Sequence, residues 1–193
     1  MTPRIHLIQE KIRNIIARSK VPEDPIHAED TLRILLELHP GADHALRLAA
    51  LGHDIERAFP RGIRVEQTGF KSYDEFKWRH AMNSARIMRG ILMKCEIDKV
   101  FVEKVEELVL HHEVGGTKEA DILKDADSLS FFHTNLSLYM ERESYERVLK
   151  RVKWGLDRLS PRGLKYLKER LVPNNKLLKK VIEMDNQYQI QER

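Results

Sequence analysis

A histidine and an aspartate, His53 and Asp54, stand side by side in Leu-Ala-Ala-Leu-Gly-His-Asp-Ile-Glu-Arg, an otherwise apolar stretch with helical spacing. Burying an imidazole and a carboxylate beside Leu46, Ala49, Ala50 and Leu51 is costly unless something compensates both groups. A divalent cation does so most directly, because it takes an imidazole nitrogen and a carboxylate oxygen as ligands. The pair alone is a weak signal. Its meaning depends on the ionisable residues before and after it.

His27 shares a helical face with Thr31, Ile34 and Leu38. It falls in the first turn after Asp24-Pro25, where the helix dipole favours the neutral ring that a metal needs. By itself such a histidine is more often a hydrogen-bonded core residue than a ligand. His80, in Trp-Arg-His-Ala-Met with Ser84 one turn on, is balanced between core and site. His111 and His112 close a later helix. His112 lies over Val105, Leu108 and Val109 and is the inward ring, while His111 shares its side with Glu107 and Leu108. Capping of the helix C-terminus is the plain alternative for both. Asp127 has Leu123 and Phe131 four residues to either side, so its carboxylate points into the core. Asp125, beside Ile122 and Leu129, is less decisive. A buried aspartate needs a cation or a strong donor set, and a simple pairing with Lys124 or an arginine would also serve.

Together, two histidines and two aspartates from three helices make a mixed nitrogen and oxygen site with positions open to water or substrate. Such a site suits Mn2+, Fe2+, Zn2+, Co2+ or Mg2+. His80 with His111 or His112 adds a second cation, or else donates protons and binds phosphate oxygens.

The elements that must position these groups are helices. Ile5, Ile8, Ile12 and Ile15 form one stripe, and Ile34, Leu35 and Leu38 another. A third helix is expected from about Ala42 to Arg57, with Gly52 leaving room for a neighbouring helix. An aperiodic loop over 59–71 leaves directly from the His-Asp segment and reads as a lid or an idle excursion. Ser72 to Glu75 is a capping box for a helix reaching about Cys95. Further helices follow from about Asp98 to His112 and from Thr117 onward, with starts at Ser144, Pro161 and Pro173. No strand alternation persists, so the fold class is all-α. At 193 residues, 41% hydrophobic and 33% charged, the chain suits one domain with one core. A single cysteine, Cys95, excludes an internal disulfide and a cysteine-based zinc site, and its apolar neighbours predict a buried thiol. No run has the roughly 18 apolar residues of a membrane span. The first residues lack a secretory h-region, so a cytoplasmic location is expected. The net charge of +4 hides an asymmetry: from Arg147 to Lys180 there are twelve Lys or Arg and two acids. These basic C-terminal helices, over about 144–190, face a phosphate-rich partner or simply solvent.

The ordered set His27, His53-Asp54 and Asp127 in Lys-Asp-Ala-Asp-Ser-Leu resembles the HD-domain superfamily of metal-dependent phosphohydrolases. The likeness spans about residues 20–140. It implies a helical bundle of the HD-domain type, with His27, His53, Asp54 and Asp127 as metal ligands for one or two divalent ions. His80 and His111-His112-Glu113 stand where many members carry the extra histidines of a binuclear site. Where some members read His-Asp-Ile-Gly-Lys, with the lysine facing phosphate, this chain reads His-Asp-Ile-Glu-Arg, so Arg57 takes the lysine's place and Glu56 the glycine's. The Gly-Tyr-Pro segment of the cyclic-dinucleotide branch is absent after His112.

The expected function is therefore hydrolysis of a phosphate ester, most plausibly of a nucleotide or related small metabolite, through metal-activated water. Asp54 is the ligand that also accepts the water proton. His80, His111 or His112 serve the leaving group, and Arg57, Lys124 and Arg79 offset phosphate charge. The rival expectation is a non-catalytic module on the same scaffold that senses a nucleotide or binds RNA through the 59–71 loop and the basic helices. Only Trp154 and Tyr166 interleave that basic stretch, which disfavours a nucleic-acid partner. A homodimer is compatible with a small all-α enzyme, although no residue points to it.

Overall fold

In the computed structural model, residues 2–191 are described apart from Gln67, with side chains described over 4–183. Among them there is no β-strand. The chain runs through α1 (Thr2–Ile16), α2 (Asp24–Leu38), α3 (His44–Gly52), α4 (Tyr73–Met93), α5 (Lys99–Leu110), α6 (Lys118–Ser130), α7 (Leu136–Arg142), α8 (Tyr145–Asp157), α9 (Pro161–Tyr166) and α10 (Lys176–Gln191). No described helix is long and apolar enough to cross a membrane.

Local chemistry explains where these helices begin. Asp43 accepts from the Leu46 amide, Ser72 from Glu75, Asp98 from Val100 and Phe101, Thr117 from Ala120, and Ser144 from Arg147. Each supplies an acceptor for a first-turn N–H that has no partner within its helix. Glu75 completes the expected box by accepting from the amide of Lys71, one residue before the cap. Gly115 and Gly116, at φ +76° and +111°, let the chain turn sharply from α5 to α6.

The core is built on α2, α3, α5 and α6, with Ile34, Leu35, Leu46, Leu48, Val105, Val109 and Leu123 buried between them. α1 closes one side through Ile5, Ile8, Ile12 and Ile16; the last of these, rather than Ile15, completes its buried stripe. Cys95, expected to be buried, is half-buried instead, with the Lys11 ammonium 3.9 Å from its sulfur.

One departure from expectation shapes the site. The helix expected to run to Arg57 stops at Gly52, Asp54 leaves helical geometry at φ −101° and ψ 16°, and Ile55–Ala58 forms a 3-10 turn. In a continuous helix, neighbouring residues point about 100° apart. The break lets His53 and Asp54 face the same place. Gly52 also permits the close approach of α4, because a Cβ there would lie 2.4 Å from the Met88 sulfur.

Beyond α6 the helix widens into a π-helical segment, Phe131–Asn135, before α7. α8 then packs back through Val148, Val152 and Gly155, and a Cβ on Gly155 would come within 2.9 Å of the Phe132 ring. The basic C-terminal region is thus not merely a solvated face. Lys153 and Arg170 are exposed, whereas the Arg158 side chain, just past α8, is only 8% exposed.

Candidate metal centre and cleft

Three imidazoles converge from α2, the break after α3, and the end of α5. His53 donates through Nδ1 to the Ala50 carbonyl at 2.8 Å, and His112 donates through Nδ1 to the Val109 carbonyl at 2.6 Å. His27 Nδ1 lies 2.9 Å from the Ser130 hydroxyl, which itself donates to the His27 carbonyl at 3.2 Å. A carbonyl can only accept, so each Nδ1 keeps its proton and each Nε2 faces inward, the nitrogen left for a cation or a second proton. The His27 and His53 Nε2 atoms are 3.2 Å apart, and Asp127 Oδ1 lies 3.2 Å and 3.6 Å from them.

Asp54 joins this group to a second one. Its Oδ2 is 4.0 Å from His27 Nε2, and its Oδ1 is 2.7 Å from His80 Nε2 and 3.7 Å from His112 Nε2. The sets His27, His53, Asp127 and Asp54, His80, His112 each bring three donor atoms within 4.8 Å of one another, a spacing that can hold a metal ion. His112 Nε2 is buried with no hydrogen-bond partner. A buried nitrogen that makes no hydrogen bond, 3.2 Å from Glu113 Oε1 and beside Asp54 and Asp127, is the donor chemistry a cation satisfies.

Some members of the site were not evident in the sequence. Arg158 donates to Asp127 Oδ2 at 3.1 Å and to the His112 carbonyl at 3.1 Å, and pairs with Glu113 at 2.9 Å. Lys77 pairs with the other oxygen of buried Glu113. Glu56, buried, accepts from His80 Nδ1 at 2.7 Å, from the Val65 amide at 2.8 Å and from Asn83 at 2.7 Å. It therefore orients His80 and ties down the 59–71 loop at once. Asn83 adds a bond to the Ile63 carbonyl at 2.6 Å.

Two expected site residues are not brought in. His111 caps α5 and stacks on Trp78, with ring centres 6.3 Å apart, facing away from the cluster. The α5 helix ends one residue earlier, and only His112 lies on the inward face. Lys124 reaches Asp121 at 3.5 Å and does not line the cleft, because it leaves α6 on the side of the Gly115 turn. Asp125 accepts from the Ser160 amide at 2.8 Å and from its hydroxyl at 2.5 Å, and so fastens α9 to α6. Arg57 pairs with Asp24 at 2.9 Å and lies 3.6 Å from Asp54.

Sequence comparison places residues 9–182 within the family described as Domain of unknown function (DUF4202). The chain belongs to that family. No curated protein matches it. Among solved structures, it is similar to a predicted HD superfamily hydrolase from an uncultured Thermotogales bacterium. That likeness has 23% identity and a TM-score of 0.50, covering 86% of this chain and 92% of the other. It establishes the all-α fold as one of the HD type.

In this DUF4202 chain the cluster lies at the floor of a cleft of about 660 Å3, reached past Arg57, Arg64 and Val65 on one side and Tyr139, Arg147 and Arg151 on the other. Its charges are strongly coupled. Burial works against a charged His80, but the Asp54 charge and the bonds to Asp54 and Glu56 outweigh it and raise the pKa to about 9. Burial also opposes the Asp54 charge, yet His53 and His80 hold that carboxyl well below its usual range. For Asp127 the same burial is overcome by Arg158 and the two histidines. His53 is raised by Asp54 and Asp127 against burial, whereas burial prevails at His112 and lowers it.

Proposed function

We propose that the chain is a metal-dependent phosphohydrolase acting on a phosphate ester of a nucleotide or related small metabolite. One observation carries this reading: the Nε2 atoms of His27, His53 and His112 converge on Asp54 and Asp127, with two of those nitrogens 3.2 Å apart and the third, beside Glu113, making no hydrogen bond. His27, His53, Asp54 and Asp127 hold the cation, and His112 completes the wall between it and His80. When bound, a divalent cation lowers the pKa of water and polarises a phosphoryl oxygen. Asp54, kept ionised, is oriented to accept the water proton. His80, whose pKa is raised to about 9 in the metal-free protein, stands as the proton donor to the leaving oxygen, with Glu56 holding its far nitrogen. Arg57, fixed between Asp24 and Asp54, meets phosphate charge at the rim.

The cleft volume suits a nucleotide-sized molecule. The likeness to the Thermotogales protein, a predicted hydrolase, supports the same reaction class. Metal analysis of the purified protein, followed by phosphate release from a nucleotide panel with added Mn2+, Fe2+, Co2+ or Mg2+, tests the proposal. Stoichiometric metal and hydrolysis lost together in His53→Ala and Asp54→Ala are the expected result. Two ions per chain would move His80 from proton donor to ligand of a second cation, alongside Asp54 and His112.

A further inference from the structure

Arg151 on α8 is a cleft cation without an anion. It lines the same cavity as Asp54, His80 and Asp127. Among the described residues it makes no ion pair, and its Nη1 is buried without a hydrogen-bond partner. The other cations of that wall are tied to acids: Arg57 to Asp24, Arg64 to Glu66, Lys77 to Glu113, Arg142 to Glu23, Arg147 to Glu143 and Lys150 to Glu146.

Arg151 is instead fixed by aromatic rings. Its guanidinium carbon sits 3.8 Å from the Phe131 ring centre and 4.7 Å from that of Trp154. A guanidinium held in this way keeps its fork geometry, and little side-chain freedom remains to be lost when an anion binds. Phe131 belongs to the π-helical segment, which also sends Asn135 into the cleft, and Tyr139 follows one turn later. These two add neutral donors beside an otherwise uncompensated charge.

We propose that Arg151 is the centre of a distal anion subsite, and that the substrate carries a second phosphate group in addition to the one held at the His-Asp cluster. The identity of the first phosphate rests on the phosphohydrolase reading, while the Arg151 subsite itself does not. The substrate class is thus a small molecule with two phosphate groups, as a diphosphate or as two separate esters.

Trp154 provides a direct readout. Its ring centre lies 4.7 Å from the Arg151 guanidinium and 4.3 Å from that of Arg158, and Arg158 holds Asp127. The chain has two tryptophans, so Trp78→Phe leaves Trp154 as the reporter. In that background AMP, ADP and adenosine 3′,5′-bisphosphate are titrated against Trp154 emission, with no turnover required. ADP or the bisphosphate is expected to bind at least about tenfold more tightly than AMP. Arg151→Met, which keeps an apolar stem, removes that preference while AMP affinity and metal content stay unchanged. Arg151→Lys, the milder variant, keeps a charge but loses the planar fork and retains only part of the preference.

Equal affinity for all three probes in the Trp78→Phe protein overturns the proposal even if Arg151→Met fails to fold. So does an unchanged preference in Arg151→Met, or tight, Arg151-dependent binding of a single-stranded RNA oligonucleotide in place of the small probes. Arg151-dependent binding without hydrolysis would leave the subsite standing and remove the phosphohydrolase reading. Hydrolysis by the metal-loaded protein, with the preference for the two-phosphate probes unchanged in Arg151→Met, would do the reverse.

Discussion

The Nε2 atoms of His27 and His53 face each other at 3.2 Å, with Asp127 Oδ1 close to both. Two lone pairs at that distance repel unless a proton or a cation lies between them. In the metal-free protein a proton fills the role, which agrees with the raised pKa of His53 under the charges of Asp54 and Asp127 despite its burial. A divalent ion displaces that proton, so cation affinity rises with pH across the titration of His53. Isothermal titration with Mn2+ in buffers of different ionisation enthalpy should show proton release on binding.

His80 gives the metal-free protein a distinct pH signature. Its pKa is raised to about 9 in the folded chain, against an ordinary value of 6.5. The stabilisation is complete below pH 6.5 and is lost as pH climbs through about 9. Chelator-treated protein should therefore lose roughly 3 kcal/mol over that window, at about 1.4 kcal/mol per pKa unit. In His80→Gln the loss over the same window should largely vanish. For the enzyme, Glu56→Gln removes the carboxylate charge beside His80 Nδ1, lowers the His80 pKa and moves the alkaline limb of the kcat profile to lower pH.

Arg158→Met leaves Glu113 with Lys77 and the His112 ring and takes a donor from Asp127. Breaking a buried pair by removing one partner costs about 3–5 kcal/mol. Chemical denaturation should register a loss of that size. Arg158→Lys should restore only a part of it, because one ammonium does not reproduce a fork that reaches Asp127, Glu113 and the His112 carbonyl together.

Gly52→Ala introduces a methyl where the Met88 sulfur would lie 2.4 Å away, in a fully buried setting. Overpacking of this kind costs about 1–3 kcal/mol. In a Met88→Ala background the same change should cost little, and a double-mutant cycle measures the difference as a coupling energy of about the size of the Gly52→Ala cost.

Asn83→Ala cuts the bonds that hold the 59–71 loop through Ile63 and Glu56. Faster hydrogen exchange confined to that loop, with global stability changed by less than about 1 kcal/mol, is the expected outcome. Exchange that rises throughout the chain would contradict the loop's role as a separately anchored wall of the cleft.

The all-α class and most helix starts were legible in the sequence because caps and 3.6-residue stripes are local signals. His27, His53, Asp54 and Asp127 stood out because each carries a polar group among apolar neighbours. The break after Gly52 was not legible: the apolar pattern continues into Ile55, and only tertiary packing of α4 on Gly52 and the needs of the paired side chains end the helix. Arg158 was hidden in a basic run where one more cation carried no information. The stripe Val148, Val152, Gly155 and Leu159 could have revealed it, since position 158 borders that inward face. Glu56 and Glu113 were equally obscure, because their partners His80, Lys77 and Arg158 come from distant elements. Lys124, expected to offset phosphate charge, is turned by its helical position toward Asp121 instead.

The central claim is that the converging imidazoles and carboxylates hold a catalytic cation, and metal stoichiometry measured alongside phosphate release tests it most directly. Purified protein reconstituted with Mn2+ or Fe2+ should retain one or two ions per chain and release phosphate from a nucleotide, with both properties lost in His53→Ala and Asp54→Ala. A folded protein that retains no divalent metal at neutral pH, or that hydrolyses equally well after both substitutions, would contradict the account.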